Sequence, residues 1–169
     1  MATHEHIIRS IGLSATLLLF CTTKATPPVP PIAQETVILT GWLHVEDLSM
    51  KDVQLEVVVN GSSRFNAISE TGRFVVELPT DTKALLRFEK PGHLTKEVIV
   101  DTHNSKDGEV GQHTRRLKLA VIMQLEKHMG GQTYAGPVGA IAFDEGGGCV
   151  AITHDRALVP TRRQKPMEF

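Results

Sequence analysis

Cys149, His154 and Asp155 lie close together near the C-terminal end and are the residues best suited by type to nucleophilic catalysis. A thiol nucleophile needs a base within hydrogen-bond reach and a third group that orients the base. The setting argues for a blander role: Cys149 follows Gly146-Gly147-Gly148 and opens the apolar run Val150-Ala151-Ile152, where a cysteine serves as a small buried hydrophobe. No Gly-x-Ser-x-Gly elbow is present. Past the N-terminal segment the histidines are His44, His93, His103, His113, His128 and His154, and none forms a His-x-x-x-His pair or joins a Cys-x-x-Cys pair. His103 and His113 share a polar stretch with Asp101, Asp107 and Glu109, which would make a weak surface metal site. Scattered surface histidines are the simpler explanation. Gly146-Gly147-Gly148 leads into residues of β character, whereas a phosphate cradle leads into a helix N-terminus. Arg115-Arg116 and Arg162-Arg163 are isolated pairs, and a net charge of −1 excludes a general nucleic-acid binder. No residue is therefore assigned a catalytic, cofactor-binding or metal-binding role, and the expectation is a protein that is not an enzyme and carries no cofactor.

The elements around these residues are strands. Thr36 to Asp101 holds short alternating segments punctuated by turns. Val37, Leu39, Gly41, Leu43 and Val45 share one face of the first, with Ile38, Thr40, Trp42 and His44 on the other. Trp42 is expected on the outer surface or at a sheet edge. Val53, Leu55, Val57 and Val59 alternate up to Asn60-Gly61, a tight hairpin turn, and Ser63 to Ser69 returns. Glu70-Thr71-Gly72 is a second turn, with Gly72 free to take positive φ, and Phe74, Val76 and Leu78 alternate after it. Pro91-Gly92 separates Ala84–Glu89 from Thr95–Val100. Asp101 to Thr114 reads as a long surface loop, and Leu117, Leu119, Val121, Met123 and Leu125 mark the last strand of a sandwich. The expected inward set is Leu39, Leu43, Leu55, Val57, Phe74, Val76, Leu86, Phe88, Leu119 and Val121.

Four pieces in order carry a family resemblance: Leu39-Thr40-Gly41-Trp42-Leu43, Val53-Gln54-Leu55-Glu56-Val57, Glu70-Thr71-Gly72-Arg73-Phe74 and Phe88-Glu89-Lys90-Pro91-Gly92-His93. Together they resemble the carboxypeptidase regulatory-like domain, over about residues 35 to 125. His93 stands where that family usually has an aromatic residue. The resemblance implies an all-β, antiparallel Ig-like or transthyretin-like (prealbumin-like) sandwich of about seven strands. It is similar to small exported envelope proteins of Bacteroidetes-type bacteria, and Pro137 to Phe143 looks like their C-terminal extension. In metallocarboxypeptidases the zinc ligands belong to a separate catalytic domain, for which this chain of 169 residues has no room.

The organisation expected along the chain is a signal peptide over 1–25, a Pro-rich spacer over 26–34, the sandwich over 35–126, a Gly-rich extension over 127–157 and a disordered tail over 158–169. Ile11 to Phe20 has the length of a signal-peptide apolar region and is too short to span a bilayer. Cys21 directly after it raises lipidation as an option, although Phe20 is a poor residue before a lipidated cysteine. If Cys21 leaves with the signal, Cys149 is the one thiol left and no internal disulfide forms. Ala140 to Phe143 and Cys149 to Thr153 are expected to pair as a hairpin. The expected location is the periplasm or cell envelope, or outside the cell, with the membrane reached only through an uncleaved N-terminal segment or a lipidated Cys21. Three functions compete. A binding or assembly module, meeting an envelope protein or surface ligand, requires an exposed apolar sheet face or edge. A transthyretin-like small-molecule or metal carrier requires a concave pocket, and an enzyme requires Cys149 beside His154.

Overall fold

The computed structural model describes residues 35–46, 49–105, 114–146 and 150–161, all within one compact unit that runs from Ile32 to Phe169. The signal segment, the Pro-rich spacer, Cys21, His113, Cys149, Arg162-Arg163 and the end of the tail lie outside the described residues. Alternation of apolar and polar residues sets the strands: β1 (Thr36–Val45), β2 (Gln54–Val59), β3 (Ser62–Asn66), β4 (Arg73–Pro79), β5 (Lys83–Glu89), β6 (Lys96–Asp101), β7 (Thr114–Met123), β8 (Gln132–Tyr134), β9 (Gly139–Phe143), β10 (Val150–His154) and β11 (Leu158–Pro160). One 3₁₀ turn, Glu126–Met129, follows β7.

Two sheets face each other. One has three strands in the order β4-β1-β7, the other six in the order β10-β9-β6-β5-β2-β3, and a two-stranded β11-β8 ribbon lies beside them. Between the sheets sit Leu39, Val45, Leu55, Val57, Phe74, Val76, Leu86 and Phe88, all fully buried, with the Phe74 and Phe88 rings 5.3 Å apart. Leu43 and Val121 are buried as expected, and Leu119 is half-buried against the same core. Phe74 fits because Gly41 on β1 has no side chain: a Cβ there would lie 2.0 Å from the Phe74 ring. Gly72 is at φ 79°, and a Cβ on it would meet the Leu43 carbonyl oxygen at 2.1 Å. The turn presses against β1, with Leu43 N–H donating to Gly72 O at 2.8 Å. Asn60 and Gly61 both take positive φ between β2 and β3, as a tight hairpin requires. His93 is buried, and its segment bridges to Leu125 just past β7.

Three expectations need correction. The pairing is not antiparallel throughout: β1 runs parallel to β7 over its whole length, and β6 runs parallel to β9. Alternation dictates which face a strand buries but carries no information on its direction. The Gly-rich segment 127–157, expected outside the sandwich, supplies two of its strands. Val138 N–H donates to Glu97 O, β9 continues the six-stranded sheet, β10 pairs with β9 as a hairpin, and Ile141 joins the core. The tail is ordered at its start, because Leu158–Pro160 pairs with β8.

Candidate functional site

The two flanks of the sandwich differ. On one, the Arg64 guanidinium of β3 donates to Glu77 O and Asn66 Nδ2 donates to Val75 O at 2.9 Å, so side chains tie the edge strands β3 and β4 together. On the other, β7 and β10 are the outermost strands of their sheets, and a half-open groove of about 370 Å³ separates β7 from the β9–β10 hairpin. Its walls are largely apolar, with Leu119, Val121, Val138, Ile141 and Ile152 among the lining residues. The cationic groups on it are Lys96, Lys118 and Arg156, the His154 imidazole also borders it, and among the described residues no carboxylate lines it.

Lys96 is the unusual member. On β6 it shares the inward face with Val98 and Val100, and it is only 9% exposed. It lies beyond the end of β9, whose pairing with β6 begins at Val98. Its Nζ sits 5.2 Å from the centre of the Tyr134 ring, with no ion-pair or hydrogen-bond partner among the described residues. Burial pushes the Lys96 ammonium below the ordinary lysine range, and the nearby Arg156 guanidinium pushes it the same way. Tyr134 is held by its hydroxyl, which donates to Gln124 Oε1 at 2.5 Å, and burial raises its pKa. The β11-β8 ribbon places both Tyr134 and the segment carrying Arg156 here, through Ala135 N–H donating to Ala157 O.

A second feature is the outer face of the three-stranded sheet. Trp42 pairs directly with Arg73 of β4, while Val75 and Ile122 occupy diagonal positions on β4 and β7. Val75, Trp42 and Ile122 are 43%, 45% and 55% exposed, and they form an apolar stripe across all three strands. Over the six-stranded sheet the outer face is more mixed. Arg87 bridges Glu97 at 2.8 Å and Glu56 at 2.9 Å, beside a half-buried apolar row of Val58, Leu85, Ile99 and Ala140 in register.

The residues that sequence reasoning weighed for chemistry are dispersed. His154 lies on the groove, whereas the Asp155 carboxylate accepts the Ala157 N–H at 3.0 Å. His103 pairs with Asp101 at 2.5 Å in the turn after β6. Burial pushes the Asp101 carboxyl up, but the His103 hydrogen bonds outweigh it and leave the group below its usual range. His128 pairs with Glu46 at 2.7 Å, and Leu125 N–H donates to the same carboxylate at 2.8 Å. Among the described residues no group of three or more His, Cys, Asp or Glu is placed to hold a metal ion. Lys96 was missed, although its signal is visible in the sequence: it falls in phase with Val98 and Val100 on a strand that buries that face.

No protein-family model matches the chain, and no curated protein matches it. Among solved structures, it is similar to a chain of an N-terminal interface mutant of a type II cohesin-X-dockerin complex from Acetivibrio cellulolyticus. That match has 12% identity and a TM-score of 0.34 over 53% of this chain and 58% of the other. The C-terminal interface mutant of the same complex gives 13% identity and a TM-score of 0.35 over 59% and 62%. This chain thus spans less than two thirds of either matched chain.

Proposed function

We propose that this protein is a non-catalytic β-sandwich module, exported to the cell envelope, that binds a protein partner. One observation carries the reading. The outer face of the three-stranded sheet presents Val75, Trp42 and Ile122 as a continuous apolar stripe, with Arg73 beside the tryptophan. Sandwich strands normally turn polar residues outward, and a contiguous apolar patch on a soluble domain marks a contact surface. Tryptophan and arginine are also the side chains that most often dominate binding energy at interfaces. The resemblance to the carboxypeptidase regulatory-like domain supports a module of this kind, and the apolar segment Ile11 to Phe20 supports export.

The test is comparative crosslinking in the native organism with the full chain. Wild type and Phe65→Ser, which alters a 71% exposed residue on the opposite sheet, should capture the same partner. A Trp42→Ser, Ile122→Ser double variant that still melts cooperatively should lose it. Capture of the same partner by that double variant removes the stripe from consideration. Recovery of the chain solely from the cytoplasmic fraction removes the export reading.

A further inference from the structure

A lysine on the inward face of a core strand contradicts the pattern that folds the strand, and such local conflicts concentrate where a protein binds something. Lys96 is such a residue: nine-tenths buried, directed between the sheets, and lacking an anionic partner among the described residues. Nearby the groove offers Arg156 and Lys118 at its exposed margin, and His154 besides, again with no carboxylate among the described lining residues. The Arg156 guanidinium repels the buried Lys96 ammonium, and a bound anion relieves that repulsion. Apart from Gln124 and Thr153, the rest of the lining is apolar.

We propose that the groove between β7 and the β9–β10 hairpin binds a small anionic amphiphile, its charged head on Lys96 and its chain against Leu119, Val121, Ile141 and Ile152. The volume of about 370 Å³ falls in the range of small-molecule sites, which are mostly apolar with a few convergent polar groups. The geometry favours a single-headed molecule over an extended peptide. The buried ammonium is set back on the third strand from the sheet edge, past the end of β9, and not along the free edge of β7 or β10. A head group entering first reaches it, with the chain filling the groove behind. The lowered basicity of Lys96 fits the same picture, since a bound anion would return the ammonium toward its ordinary range. This inference goes beyond the outer-face reading: of that stripe Ile122 also borders the groove, whereas Trp42 and Val75 take no part in it, and Lys96 lies on the other sheet.

The experiment is calorimetric titration of the purified protein with decanoate, decyl sulfate, decanol and decyltrimethylammonium, alongside thermal melts. Decanoate and decyl sulfate should bind saturably at one site and raise Tm, as a ligand selective for the folded state must. Decanol and the cationic amphiphile should bind at least about tenfold more weakly. Lys96→Met should lose about tenfold or more in decanoate affinity while melting no lower than wild type. Should Lys96→Met fail to fold, Ile152→Glu supplies the second arm: the residue is exposed at the groove, so the fold survives, and the added carboxylate should repel decanoate. Equal affinity for decanoate and decanol, or unchanged affinity in Lys96→Met or Ile152→Glu, overturns the proposal. So does displacement of decanoate by an acidic hexapeptide at lower concentration, which would assign the groove to a protein segment.

Discussion

Replacing Lys96 by Met should make the unliganded protein more stable. Met keeps an unbranched stem of similar reach and discards the ammonium. In the wild type Lys96 is 9% exposed, and its ammonium has the Tyr134 ring as its contact. An unpaired buried charge costs several kcal/mol once the protein has relaxed around it, and the cation–π contact returns about 0.5–2 kcal/mol. The remaining outlet of the groove to water lowers the cost further. A net gain of about 1–2 kcal/mol for Lys96→Met follows, or about 3–8 °C in Tm for a domain of this size. Linkage gives the effect a pH signature. Burial and Arg156 hold the folded-state pKa below the ordinary value of 10.5. Between the two values the unfolded chain binds more protons than the folded one, so wild-type stability rises with pH across that window. The advantage of Lys96→Met should be constant below the window and shrink through it. Urea unfolding of both proteins from neutral to alkaline pH measures this, and groups common to both, Tyr134 included, largely cancel in the difference. A lower stability for Lys96→Met at neutral pH, or a gap that stays constant through the alkaline range, would refute the reasoning and mean that the ammonium is already satisfied.

Other expectations follow from the same geometry. Gly72→Val should cost about 2–4 kcal/mol, since it adds left-handed strain to a clash with Leu43 O, whereas the exposed Glu70→Ala should change Tm little; denaturant midpoints decide. Removing Gly130 to Phe169 strips Ile141 and Phe143 from the interior and bares β6, so the truncated chain should lose its cooperative melt; a sharp transition near that of the full chain would show that the core does not need this segment. The Leu125 N–H and then His128 hold Glu46 below its ordinary carboxylate range, so its contribution is complete above pH 4.5 and lost as pH falls through the lowered value. Glu46→Gln should therefore flatten the acid limb of the stability profile. Cys149→Ala should leave purified protein with the same absence of ester and peptide hydrolysis as wild type, and an activity abolished by it would replace the binding reading.

Local rules made much of the fold legible. Asn60-Gly61, Gly72 and Pro91-Gly92 are turns because so few residues tolerate those backbone angles, and the alternation around Leu39, Leu55, Phe74 and Leu86 picks the buried face. What stayed hidden depends on contacts distant in sequence. Nothing local says that β7 lies parallel to β1, or that β9 attaches to β6. Leu158–Pro160 is too short to show a period, and it orders only because β8 is there to receive it. The groove is a gap between edge strands of different sheets, so its lining comes from β6, β7, β9, β10 and the residues after them. Lys96 was readable as an inward charge, yet its meaning needed the lack of a partner, which only three dimensions reveal.

The central position of β1 bears on how the chain is made. It is the first described strand to leave the ribosome, yet it sits between β4 and β7, the second of which is complete only at Met123. The hairpins β2–β3 and β5–β6 close locally and can form while the β7 side of β1 stays open. Pairings distant in sequence are slow to form, because loop-closure entropy is lost before the contact rewards it. Until β7 arrives, Val37, Leu39, Leu43 and Val45 line an incomplete sheet and leave the nascent chain open to wrong partners. The first described strand can pair with β4 early, but its second edge stays open until Met123 has been made and the full β1–β7 ladder can form.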